Sequence, residues 1–273
     1  MNTCWKMRTI AAAVLTLTAS AGAQAASITA NAVSIGGTGG GCRTFLGSPT
    51  LVEGNCDNAN VVQALNAAGN VELARENNVA LGKFTTLSGT LGGNSIVLSS
   101  LVATDWTLAL STKYITEAFA SAGRTTFLPG QLPALVGLFQ AGGYVQVSNP
   151  NVSYVENDAD GWTYVGLDGF INTTPLLNSL IAAVNAALPV GVAPIAPLTQ
   201  PSQVSEVVKV QLYEGGSWHY LYGFSATETG YSAGDPPFFS YTGAYRLRVP
   251  EPESLALLGI GLVGLCLGRR RRV

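Results

Sequence analysis

Few stretches of this chain hold residue types that can do chemistry. "GYSAG", Gly230 to Gly234, fits the G-x-S-x-G spacing that exposes a serine hydroxyl at a strand-to-helix elbow. A Ser232 nucleophile would need a strand before it, a helix after it and the order serine, acid, histidine. Asp235-Pro236-Pro237 follows instead, a poor start for that helix, and the chain's one histidine, His219, precedes the serine. The match therefore reads as a glycine-rich loop. His219, in "SWHYLY", also limits imidazole chemistry, because no metal site here can use two histidines. It reads as a strand histidine, hydrogen-bonded or half-exposed.

"ENDADG" is the better candidate for a ligand. Glu156, Asp158, Asp160 and Gly161 stand where an EF-hand loop has its positions one, three, five and six. Position twelve, a bidentate Glu in that loop, is Leu167 here, and Asp168 comes one place late. The flanks alternate as strands do. Asp160-Gly161 supplies a hairpin turn without any metal. Calcium is expected here only as a weak extracellular site, and no other cofactor is expected. The glycine run Gly36 to Gly41 lacks G-x-G-x-x-G spacing and opens no helix, so it is no phosphate loop. No pair of carboxylates is marked out for glycoside hydrolysis.

These residues sit in a chain built for export. "MNTCWKMRTIAAAVLTLTASAGAQAAS" has Lys6 and Arg8, an uncharged stretch, and small residues at Ala23 and Ala25. That is the three-part layout of a secretory signal, with cleavage after Ala25 by signal peptidase. Cys4 leaves with it and Cys266 lies in a C-terminal apolar run. Cys42 and Cys56 remain and are expected to form a disulfide in an oxidising compartment. Between Ala26 and Val249 there are eight Lys and Arg against fourteen Asp and Glu, a net charge of −6. With no basic run to neutralise phosphates, nucleic acid is disfavoured as a partner.

The other end reads "VPEPESLALLGIGLVGLCLGRRRRV". Ser254 to Gly268 carries no charge and would be about 22 Å long as a helix, short of the ~30 Å hydrocarbon core. Snorkelling arginines help such a helix reach both interfaces. Arg269, Arg270, Arg271 and Arg272 place the tail's end in the cytoplasm and a cleaved signal places the body outside, so the two ends agree. Pro250 and Pro252 break regular structure just before the run.

This tail resembles a PEP-CTERM sorting signal: Pro250-Glu251-Pro252, a short Gly/Leu-rich helix over 254–268, then the arginine cluster. The resemblance implies a Gram-negative envelope protein whose tail an integral-membrane exosortase processes near the Pro-Glu-Pro. It further implies association with exopolysaccharide and biofilm matrix. "SSLVATDW", "SNPNVSYV" and "LYGFSAT" are similar to a group of PEP-CTERM proteins of unknown function.

The body, residues 26–249, must supply the elements. "NVVQALNAAGN" predicts a short helix ending at Gly69, and "VALGKFTTLSGTLGGNSIVLSSL" strands about Gly-Gly. "ATDWTLALSTKYITEAFASAG" predicts a helix capped by Thr104 or Asp105 and stopped by Gly123. "LPALVGLFQA" predicts another. "TPLLNSLIAAVNAAL" predicts a helix apolar almost all round, and "PVGVAPIAPLTQP" an irregular connection. Hairpins are expected around "NDADG" and around Gly215-Gly216, with Tyr213, Trp218, Tyr220 and Tyr222 on the strands of the second. "FFSYTGAYRLRV" closes the body. Helices and hairpins come in runs, so the fold class is α+β: antiparallel hairpins packed with about three to four short helices, flanked by the signal peptide (1–25) and the sorting signal (250–273) with its transmembrane helix at 254–268.

The reading is a non-catalytic surface or matrix protein whose partners are signal peptidase, an exosortase, the inner membrane at least transiently, and exopolysaccharide or envelope proteins. Its rivals are a secreted hydrolase acting on matrix polymers and a passive subunit that polymerises through strand edges.

Overall fold

A computed structural model describes residues 26–28, 33–47, 50–66, 69–158, 162–168, 170–224, 227–232 and 239–248. Ala23, Ala25, Pro250, Glu251, Pro252, the 254–268 run and Arg269 to Arg272 lie outside the described residues. Among the described residues, no helix is long and apolar enough to cross a membrane.

The strands are numbered along the chain. One sheet holds β1 (Ala26–Ser27), β3 (Cys42–Leu46), β4 (Val52–Gly54), β5 (Gly69–Leu73), β8 (Asn151–Asn157), β9 (Trp162–Leu167), β14 (Thr227–Ser232) and β15 (Phe239–Arg248). Its order is β14-β15-β9-β8-β5-β3-β4, with β1 also paired to β8. A second sheet runs β13-β12-β7-β6-β2, from β2 (Ser34–Gly37), β6 (Thr85–Leu91), β7 (Asn94–Ser99), β12 (Val208–Gln211) and β13 (His219–Leu221). β10 (Phe170–Asn172) and β11 (Gln203–Ser205) form a separate pair. Every pairing is antiparallel. Among the described residues five α-helices accompany them: α1 (Asn58–Asn66), α2 (Glu76–Ala80), α3 (Leu108–Ser121), α4 (Gln131–Ala141) and α5 (Thr174–Ala187).

The α+β expectation holds, with corrections. α1 stops at Asn66, and Gly69 opens β5 rather than ending the helix. A Cβ at Gly69 would lie 2.4 Å from the Phe45 carbonyl oxygen, so the glycine serves the close approach of β3. α2 is an extra helix beyond the three to four expected. α3 begins later than expected, because Ala103–Asp105 forms its own 3-10 turn. Thr107 is the cap instead, its hydroxyl accepting from Leu110 N at 3.2 Å. Tyr213 and Trp218 fall in the β12–β13 connection and Tyr222 just past β13, so of the four only Tyr220 is on a strand. α5 is amphipathic rather than apolar all round in its packing: Leu176, Leu177, Leu180, Ile181 and Val184 are buried, while Ala182, Ala183, Ala186 and Ala187 face solvent.

The apolar side chains divide into two clusters. One joins both large sheets and α1: Val71, Val152 and Val165 from the first sheet, Leu87, Leu98 and Val210 from the second, with Val61 and Leu65 from the helix. The other gathers α3, α4 and α5 with Ala74, Leu101, Val147 and Val207. Those last four follow β5 and β7 or precede β8 and β12, so they mark one end of the strands. Backbone bonds tie that end across the sheets, Leu101 N to Ser148 O at 3.1 Å and Val207 N to Val147 O at 2.8 Å. The helices are therefore segregated to one end of the antiparallel layers. At the opposite end the β6–β7 turn meets the end of β8. A Cβ on Gly92 would come within 2.6 Å of the Asn157 amide nitrogen.

Candidate functional site: the strand end that carries the tail

β15 alternates Phe239, Tyr241, Tyr245 and Leu247 with Ser240, Thr242, Ala244, Arg246 and Arg248, a pattern that suits a strand with one buried face. Its register with β9 runs from Gly243↔Leu167 to Arg248↔Trp162. Leu247 packs on the sheet core, opposite the buried Thr163, while Arg246 points outward. The Arg246 guanidinium lies 4.7 Å from the centre of the Trp162 ring, within cation–π range.

The β8–β9 hairpin beside it contains the acids that imitate a calcium loop. Asp158 closes the turn: Trp162 N donates to its Oδ1 at 3.0 Å, the Tyr164 hydroxyl donates to Oδ2 at 3.0 Å, and Asp158 N donates to Trp162 O at 2.9 Å. Both carboxylate oxygens are thus already engaged in the fold. Glu156 stands exposed on β8, opposite Tyr164. Asp160 lies outside the described residues. Among the described residues, no group of three or more His, Cys, Asp and Glu is placed to hold a metal. Tyr154 lies across Gly166, where a Cβ would meet its ring at 2.2 Å. Burial, then Glu156 and Asp168, push its phenol above the ordinary range.

β1 flanks the other side of this hairpin, with Ala26↔Asn157 and Ser27↔Glu156. The residue after the expected signal cleavage and the last residue of β15 therefore leave from the same end of one hairpin.

Elsewhere the sequence candidates disperse. Ser232 lies on β14, which turns back into β15 with Ser232↔Phe239, so that strand leads into a hairpin and not into an elbow helix. His219 is exposed on β13, in the other sheet. Cys42 and Cys56 are bridged, with Cα atoms 6.0 Å apart, tying β3 to the segment before α1. Closing this loop stabilises by about 3 kcal/mol in the chain-entropy model. Tyr222 packs against Tyr114 and Phe224. Its hydroxyl accepts from Lys113 at 2.8 Å and donates to Glu117 at 2.9 Å, and burial pushes it up to about 12. The exposed aromatics of the second hairpin are Tyr213 and Trp218.

One polar cluster gave no signal in the sequence. At the seam between the two apolar clusters, Arg43 grips Glu72 with a two-pronged contact, Nε to Oε2 at 2.6 Å and Nη2 to Oε1 at 2.8 Å. Asn149 donates to the same carboxylate at 3.3 Å, and Asn151 donates to Glu206 at 3.0 Å. Both glutamates are buried, 3% and 5% exposed. Burial, then the neighbouring Glu72, push the Glu206 carboxyl well above the ordinary carboxylate range. Two acids in unlike environments can divide acid and base roles, but a substrate cannot reach a pair sealed in this way. "SNPNV" supplies both asparagines, and only the fold sets them against residues so distant in sequence.

Residues 248–272 match the PEP-CTERM protein-sorting motif family. The match begins at the last residue of β15. It marks the chain as an exported protein that an exosortase sorts. No curated protein and no solved structure matches the chain.

Proposed function

Taking the sorting motif as the premise, we propose that this is a cell-surface or extracellular-matrix protein of a Gram-negative bacterium. Its body serves as a non-catalytic interaction or structural component linked to exopolysaccharide or biofilm. The observation that carries the reading is the direct passage from β15 into the motif at Arg248. Dispersal of Ser232 and His219 between two sheets supports a body without catalysis, as does the burial of Glu72 and Glu206. Tyr213 and Trp218, 43% and 40% exposed, offer rings on which a sugar face can stack.

Fractionation of cells with and without an exosortase tests the sorting. The protein should leave the inner membrane only where the enzyme is present, and intact protein in that membrane in both strains would refute the reading. The purified body should then co-sediment with the cells' own exopolysaccharide without releasing new reducing ends. Release of reducing ends would favour the secreted hydrolase.

A further inference from the structure

The signal-cleavage end and the sorting tail emerge beside each other. β1, β8, β9 and β15 are successive neighbours, so Ala26 and Arg248 lie three strand spacings apart, about 14 Å. Five residues, 249–253, separate Arg248 from the apolar run that starts at Ser254. Fully extended, they span at most about 17 Å. An inserted tail therefore holds the end of β15 close to the bilayer. The end of β8 at Asn157, paired to β1, and the start of β9 at Trp162, paired to β15, are held there too. The β6–β7 turn joins it through the approach of Gly92 to Asn157. The helices α3 to α5 occupy the opposite end of the strands. At the near end, Trp162 and Tyr164 share one sheet face with Arg246. Tryptophan, tyrosine and snorkelling arginine are the side chains that favour the headgroup region.

We propose that this end of the sheets is a membrane-seating surface. While the tail is inserted, the adjoining ends of β8, β9 and β15 rest on the lipid headgroups of the outer face, with Trp162 and Arg246 at headgroup level and the helices pointing away. The seating rests on the tail being membrane-inserted, and the experiment separates the two.

The full-length protein, purified from a host without an exosortase, is reconstituted in vesicles of brominated and of plain phosphatidylcholine and floated. The emission carried by Trp162, taken as the difference from Trp162→Phe, should fall about twofold in the brominated vesicles, as for a side chain at interfacial depth. Trp106, which is buried, and the exposed Trp218 belong to the background that this difference removes. Benzoylphenylalanine read at the same surface avoids any disturbance of the hairpin by Trp162→Phe. Placed at the exposed Glu156 it should give lipid adducts on irradiation, and placed at the exposed Gly137 of α4 it should give none. A protein that floats with Trp162 unquenched, or with adducts no more frequent at 156 than at 137, overturns the seating and leaves the sorting tail standing. A protein that does not float removes the inserted tail, and the seating with it.

Discussion

The ionised form of Glu206 comes at a cost to the fold. It sits 5% exposed at the seam of the two clusters, facing Glu72 in the grip of Arg43, with Glu76 further off and Asn151 as its hydrogen-bond donor. Its folded pKa is raised, so the native state binds the proton more tightly than the unfolded chain does. The stability this confers is complete below the unfolded carboxylate range, near 4.5, and is lost as pH rises through the folded value. Glu206→Gln keeps the acceptor for Asn151 and removes the charge. It should raise Tm by a few degrees at pH 7.5, where about 1 kcal/mol moves a body of this length by roughly 2–4 °C. At pH 4 the gain should vanish. Thermal scans across that range check it, and an equal gain at both ends would show that charge is not the cause. In "QVSEVVKV" this glutamate reads as the polar phase of a strand. Its burial was illegible because Asn151 and Glu72 come from distant segments. The acids around "NDADG" are the opposite case: the types that could bind calcium were plain, and what the sequence hid is that Asp158 bonds Trp162 N and the Tyr164 hydroxyl with its two oxygens.

At the scale of elements, α5 shows how a proline-rich connection is kept in place. Two amides, Asn178 and Asn185, stand seven residues apart, about 10 Å along a helix. Each bonds the N–H and the carbonyl of one residue of the connection. Asn178 accepts from Leu198 N at 2.7 Å and donates to Leu198 O at 3.2 Å. Asn185 does the same with Ile195, at 2.8 Å each. Three residues of extended, proline-rich chain cover about 9 Å, so the two spacings match. This clasp seats Ile195 and Leu198 in the helical core. Asn185→Ala should leave a buried peptide unpaired at a cost of about 1–3 kcal/mol. Tm should fall by several degrees and proteolysis within 189–200 should quicken, while Ala186→Ser on the exposed face changes neither. Limited proteolysis of the two variants decides it, and equal cleavage would mean the clasp is idle. The sequence made the helix and the irregular connection legible by period and by proline. It showed the asparagines only as interruptions, because what they hold comes after the helix ends. The start of α3 was missed for a similar reason. Asp105 suits a cap by type, but its carboxylate holds Val102 N and, at 2.9 Å, the ammonium of Lys209.

For the whole molecule, the question is where the folded body stops and the address begins. β15 lies between β14 and β9, so it is part of the sheet and not an appendage. Its last pair, Arg248↔Trp162, coincides with the first residue of the sorting motif. A chain ending at Val249 therefore retains every described strand, whereas a chain ending at Phe238 loses the strand that covers β9 and carries Leu247 onto the core. Exported from the same signal, the longer truncation should accumulate as soluble periplasmic protein. Its unfolding midpoint should match that of a body released by the exosortase, within about 1 °C, since every described strand is kept. The shorter one should fail to accumulate, because an uncovered β9 exposes both its hydrogen-bonding edge and its share of the core. Calorimetry on the first and immunodetection of the second test the boundary. A marked loss of stability in the chain ending at Val249 would mean that the tail also packs on the body, and that processing by the exosortase changes the fold as well as the address.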